Sequence, residues 1–231
     1  MRVLSLLLAT ILVFGVQAVS AQNVQSGLEK PTPAVDVGGM ASADRLRQDM
    51  RKLWSDHVFW TRDYAAAAIA NQPDQDAAAK RLLKNQEDIG NAMAQYYGRE
   101  AGDKVTALLK DHILIAIDLI KAAKNHDDNK FSEADRRWDR NGEDIATFLS
   151  SANPFWSKAA LTDMMRMHLS TTKNEVTARL NKDWEGDVRA FDAVYDHILK
   201  MSDALSDGII KQFPERFSPA TGDLSSLDDD C

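Results

Sequence analysis

The sequence predicts an all-α fold, a six-helix bundle built from three αα-hairpin repeats of about 55 residues. Apolar residues recur at spacings of three and four along six long segments, and strand-like alternation is nearly absent. One pattern is also written three times. His57-Val58, His112-Ile113 and His168-Leu169 mark its first half. Asn85-Gln86-Glu87-Asp88-Ile89, Asn141-Gly142-Glu143-Asp144-Ile145 and, more faintly, Val194-Tyr195-Asp196-His197-Ile198 mark its second.

The first helix is expected over about 42–70, where Leu53, Trp54, His57, Val58, Thr61, Tyr64, Ala65 and Ala68 share one face. Asn71-Gln72-Pro73-Asp74 ends it and opens the second, because proline fits a first turn and Asp74 is a capping residue type. That helix carries Leu82, Leu83, Gln86, Ile89, Met93 and Tyr97 inward and closes at Gly98. The third, about 100–124, is the most apolar, and Asn125-His126-Asp127-Asp128-Asn129 is the turn after it. The fourth, about 131–150, stops before Asn153-Pro154, since the residue before proline avoids helical geometry. Ser157 can cap the fifth, about 158–181, and Asp183 opens the sixth, about 183–213, which Pro214 ends. Short turns make consecutive helices antiparallel.

Residues 1–21 have the layout of a secretory signal peptide: Met1-Arg2, an apolar run from Val3 to Val16, and Val19-Ser20-Ala21 at the cleavage position. An exported protein, periplasmic or secreted, is therefore expected. Residues 22–41 read as a flexible leader, 42–214 as the helical bundle domain and 215–231 as a disordered acidic tail. The run from Val3 to Val16 is short for a spanning helix and no other stretch approaches the roughly 18 apolar residues of one, so no stable membrane insertion is expected after cleavage. The only cysteine is Cys231, which rules out an intramolecular disulfide.

The formal charge of −7 becomes −8 when Arg2 is lost with the signal peptide. Lysines and arginines alternate with acids, as in Asp135-Arg136-Arg137-Trp138-Asp139-Arg140, so no basic patch offers itself to nucleic acid. Nucleophilic and phosphate-binding motifs are absent: there is no Gly-x-Ser-x-Gly elbow, no internal cysteine and no strand before a glycine pair. The tryptophans, and Met164 and Met165, fall where helices need core residues.

The histidines are the sharpest candidates. His57 and Glu87 are about equally far from the first turn, His112 and Glu143 from the second, and His168 and His197 from the third, so each pair shares a height in its hairpin. At about 100° per residue, His57, His112 and His168 lie near the centres of their apolar stripes. Glu87 and Glu143 fall at the stripe boundaries, and His197 falls well off its own. Imidazoles and carboxylates at one level are how helical bundles build metal sites. His57, His112, His168, Glu87 and Glu143 are thus candidate ligands for a divalent transition metal, Zn²⁺, iron or copper. Glu175, two turns from His168, is a further ligand or second partner. Against this stands a metal-free explanation, in which buried neutral histidines are satisfied by polar side chains of the neighbouring helix.

Leu53-Trp54-Ser55-Asp56-His57-Val58-Phe59-Trp60-Thr61-Arg62, Arg81-Leu82-Leu83-Lys84-Asn85, Tyr97-Gly98, Asn153-Pro154-Phe155-Trp156-Ser157 and Gly208-Ile209-Ile210-Lys211-Gln212-Phe213-Pro214 together resemble an uncharacterised family of exported bacterial all-helical proteins. The resemblance spans about residues 45–214. Members carry inherited names such as glycosyltransferase or acetylglutamate kinase, and the resemblance implies no catalytic residues. Either name would imply an α/β nucleotide-binding fold, which an all-helical pattern does not supply. The expected function is an exported binding protein holding a metal ion or small ligand at the mid-bundle level. The alternatives are a structural or protein-interaction bundle without metal and a metal-dependent enzyme; a non-catalytic role is the stronger expectation.

Overall fold

The structure, a computed structural model, describes residues 37–217. The signal peptide and most of the leader and acidic tail expected from the sequence lie outside the described residues. Six helices follow in order: α1 (Val37–Ala70), α2 (Gln75–Tyr97), α3 (Arg99–Lys124), α4 (Asp128–Ala152), α5 (Lys158–Leu180) and α6 (Trp184–Gln212). A 3-10 turn at Pro214–Arg216 ends the described chain, and no strand occurs among the described residues. Each helix packs on its neighbours in sequence, α6 returns to α1, and α1 also reaches α3 and α5. The fold is an all-α bundle closed on itself.

Three turns share one backbone solution. Asn71, His126 and Lys182 each adopt a left-handed conformation, with φ of 54°, 53° and 58°. In each, the next residue donates its N–H back to an alanine carbonyl: Gln72 to Ala67 at 2.8 Å, Asp127 to Ala122 at 3.0 Å and Asp183 to Ala178 at 2.9 Å. This bond from outside the helix end satisfies a carbonyl that the ending helix would leave bare. Gly98, at φ +83°, joins α2 directly to α3. Between α4 and α5, the fully buried Asn153 donates to the Tyr97 hydroxyl at 2.8 Å and accepts from the Phe155 N–H at 2.8 Å.

Several boundaries differ from the sequence expectation, for local reasons. Helix α1 starts at Val37, inside the segment expected to be a flexible leader. Helix α4 starts at Asp128 because the Asp127 side chain accepts from the Lys130 N–H, so the polar run after α3 is shorter as a turn than it looked. Ser157 and Asp183 cap α5 and α6 through Ala160 and Gly186 N–H groups, whereas Asp74 makes no side-chain cap. Phe217, inside the expected tail, stacks 6.0 Å from Tyr96.

The apolar core has three clusters. The largest gathers Met50, Trp54, Ile89, Leu109, Ile145, Met165, Ile198 and Leu205 from all six helices. The second holds Tyr64, Ala68, Ala78, Ile120 and Val176, and the third centres on Leu119, Trp138 and Leu169. The histidines of α1, α3 and α5 fall where these clusters meet.

Candidate functional site

His57, His112 and His168 are all buried, and their ring centroids form a triangle of 5.6, 5.9 and 6.4 Å. The residues that flank these histidines along each helix, Trp54 and Val58, Leu109 and Ile113, and Met165 and Leu169, are buried as well. Trp54 meets His57 edge-on at 5.6 Å, and Trp138 lies 5.1 Å from His112. His197, half-buried on α6, stacks 6.4 Å from His168.

The partners of two rings are amides. His57 Nδ1 lies 3.2 Å from Gln86 Oε1, and His112 Nδ1 lies 2.8 Å from Asn141 Oδ1. The amide orientations follow from their other bonds. Gln86 Nε2 donates to the Leu82 carbonyl at 2.8 Å and to Asn85 Oδ1 at 3.2 Å, while Asn141 Nδ2 donates to the Leu108 carbonyl at 3.0 Å. An amide oxygen only accepts, so both histidines carry their proton on Nδ1 and keep a lone pair on Nε2. His112 Nε2 and His168 Nδ1 are buried with no hydrogen-bond partner among the described residues.

Burial sets the charge of the cluster. It holds the His57 ring down to about 4, outweighing the Gln86 hydrogen bond that favours protonation. Burial, reinforced by repulsion from His57, takes His112 down to about 3, and burial with repulsion from His57, His112 and His197 lowers His168 well below the ordinary histidine value. All three rings are neutral at physiological pH.

The carboxylates expected to complete the shell are elsewhere. The Glu87 and Glu143 side chains are 41% and 60% exposed and face outward. Glu87 binds Lys110 Nζ at 2.6 Å, and Glu143 stands 3.7 Å from Arg166. Height along the hairpin placed them at the right level. However, the residues one and two positions earlier are rotated by about 100° and 200°, and these are the ones that reach the rings. Glu175 is also occupied otherwise. Its carboxylate accepts from Arg62 Nη1 at 2.6 Å, and Arg62 makes a two-pronged pair with the buried Asp187 at 2.8 and 3.0 Å, which Arg179 also binds at 2.8 Å. Burial nevertheless raises the Glu175 carboxyl to about 7, against the opposing pull of Arg62.

A further regularity links the paired helices at this level. Asn85 Nδ2 donates to the Leu53 carbonyl at 3.0 Å, Asn141 Nδ2 to that of Leu108 at 3.0 Å, and His197 Nε2 to that of Met164 at 2.8 Å. Each carbonyl belongs to the residue four before His57, His112 or His168. His197 thus stands where the other two pairs use asparagine, with its proton on Nε2. Asn85 and Asn141 recur in the sequence as part of one repeated motif, two residues before Glu87 and Glu143.

Among the described residues, no group of three or more His, Cys, Asp or Glu side chains is positioned to hold a metal ion. Two surface grooves border this level, and none of the three buried histidines lines either. One of about 390 Å³ between α3 and α4 is bordered by Asp111, Arg140, Asn141 and Asp144, and one of about 270 Å³ between α4 and α5 by Gly142, Glu143 and Met165. No described helix is long and apolar enough to cross a membrane. Comparison with protein-family models, curated proteins and solved structures finds no match to this chain.

Proposed function

We propose that this chain is an exported binding protein, made of three copies of one helical hairpin, that takes a transition-metal ion among His57, His112 and His168. The observation that carries this reading is the pair of buried ring nitrogens, His112 Nε2 and His168 Nδ1, that have no hydrogen-bond partner among the described residues. Leaving a buried polar atom unsatisfied costs about 1–3 kcal/mol, and a metal ion would satisfy several lone pairs at once. Donor chemistry supports the ion: the rings are neutral, the His57 and His112 tautomers leave Nε2 available, and Gln86 and Asn141 hold the opposite nitrogens as second partners of ligating histidines do. Imidazole suits Zn²⁺, copper or iron. The identical turns, and the asparagine or histidine bonds to carbonyls four residues before each histidine, support the threefold repeat. The layout of residues 1–21 supports export.

Ligation requires movement, since Zn–N bonds of about 2 Å would draw the ring centroids together by roughly 1 Å. That requirement favours a second reading, a metal-free structural or interaction bundle, in keeping with the lack of a preformed ligand group among the described residues. Thermal unfolding of chelator-treated protein with added Zn²⁺, Cu²⁺ or Fe²⁺ separates the two. Binding raises the melting temperature through linkage, and His112→Gln abolishes the rise. No rise with any of the three ions rejects the metal reading and leaves the structural one.

A further inference from the structure

At the start of α6, Trp184, Val188, Phe191 and Tyr195 follow at intervals of four, three and four residues, the spacing of a coiled-coil seam. Ile198 and Ser202 continue the same stripe and are fully buried in the bundle. The first half of the stripe instead faces solvent: Trp184 is 58% and Val188 55% exposed. Phe59 of α1, 49% exposed, widens it, with its ring 5.4 Å from both Phe191 and Tyr195. Phe191 and Tyr195 are half-buried against the main core, so the solvent-facing part of the strip is Trp184, Val188 and Phe59, and exposed apolar side chains grouped in this way mark an interaction surface.

Two arginines stack on rings of the strip. The Arg62 guanidinium lies 4.7 Å from the Phe191 ring centre, and that of Arg179 lies 5.9 Å from Trp184. Both arginines are committed to the buried Asp187, and Arg62 also to Glu175. Their charge is therefore paired within that cluster. The rim has a different balance. Arg189 faces Glu185 at 3.8 Å, whereas Asp63, Asp192 and Asp196 are exposed and take part in no ion pair among the described residues. A second copy of this chain would bring two acidic rims together, and an anionic membrane would meet the same repulsion. A basic partner gains from both the rings and the rim.

We propose that the α6–α1 seam docks a basic amphipathic helix of a partner protein, with its apolar face on Phe59, Val188, Phe191 and Tyr195 and its lysines or arginines against Asp63, Asp192 and Asp196. The stripe from Trp184 to Tyr195 is about 16 Å long, which matches about three turns of a partner helix. The test uses the full chain and a labelled 18-residue helical peptide carrying leucine at seam positions and lysine on both flanks, followed by fluorescence anisotropy at low and high salt. Val188→Asp is the discriminating variant, because it adds negative charge and would strengthen a purely electrostatic association. Val188→Asp and the double change Asp192→Lys/Asp196→Lys should each weaken binding by about tenfold or more. Both lie on exposed positions, and circular dichroism checks that they fold. Failure of the unmodified protein to bind the peptide, or equal or tighter binding by Val188→Asp, overturns the proposal. A dimer seen by sedimentation that Val188→Asp dissolves also overturns it, by identifying a second copy as the occupant.

Discussion

Replacing Asn141 with leucine probes the amide–imidazole lock directly. Asn141 makes two bonds at once, accepting from His112 Nδ1 at 2.8 Å and donating to the Leu108 carbonyl at 3.0 Å. The Leu108 carbonyl keeps its place in the helix ladder, so its loss is small, but the His112 N–H is left buried without an acceptor. That orphaned donor costs about 1–3 kcal/mol. Leucine recovers about 1 kcal/mol of apolar burial, for a net loss of up to about 2 kcal/mol. With a urea slope of about 2 kcal/mol per molar, the unfolding midpoint should fall by up to about 1 M. The double variant His112→Leu/Asn141→Leu removes both polar groups together and should recover most of the loss, giving a coupling energy of about 1–3 kcal/mol. Urea unfolding followed by far-ultraviolet circular dichroism on the four proteins of the cycle measures this. Additive losses, with no coupling, would refute the assignment of the His112 proton to Nδ1 and its bond to Asn141.

Lowering the pH of the metal-free protein should destabilise it in a defined window. A depressed histidine contributes stability that is complete above its unfolded value of 6.5 and is lost as pH falls through its folded value. For His57, with a folded value of about 4, that contribution is about 3 kcal/mol, and a urea midpoint unchanged between pH 6.5 and 4 in a Glu175→Gln background, where the opposing carboxyl is absent, would contradict it. Glu175, raised to about 7, works in the opposite sense: its contribution is complete below its ordinary value of 4.5 and is lost as pH rises through 7. Glu175→Gln should therefore match the unmodified protein at pH 5 and exceed it by about 1–3 kcal/mol at pH 8, and equal stability offsets at the two pH values would exclude that burial effect. Two glycines should respond with opposite signs. A Cβ at Gly90 would meet Thr106 Oγ1 at 1.9 Å and the Gly102 carbonyl oxygen at 2.6 Å, so Gly90→Ala should cost about 2 kcal/mol or more. At Gly142 the nearest atoms, on Leu169 and Met165, are 3.6 Å away, so Gly142→Ala should gain about 0.5–1 kcal/mol, as thermal unfolding will register.

Much of the fold is written in helical periodicity, because a bundle needs only its apolar stripes and turn residues to declare itself. Pro154, Gly98, Ser157 and Asp183 mark boundaries by rules that act within a few residues. The left-handed turns at Asn71, His126 and Lys182 share no such residue type, so their common geometry is legible only in the backbone. Burial of His57, His112 and His168 was readable for the same reason as the fold, since it depends on angle around one helix. Which residue answers each ring was not. Pairing across helices depends on rotation and height together, and a shift of one residue exchanges an exposed Glu87 for the buried Gln86. An amide also satisfies an imidazole without the desolvation cost of a carboxylate, so no charge pattern marks Gln86 or Asn141 in the sequence. The Arg62, Arg179, Glu175 and Asp187 cluster joins three helices through positions with no common sequence motif, and only packing assembles it.

Metal content of the protein isolated from the exported fraction without chelators tests the central claim most directly. Elemental analysis should find close to one zinc, copper or iron per chain, falling to background in His112→Gln. Less than about 0.2 metal per folded chain, where tight binding would give near-full occupancy, would contradict metal binding at the three imidazoles.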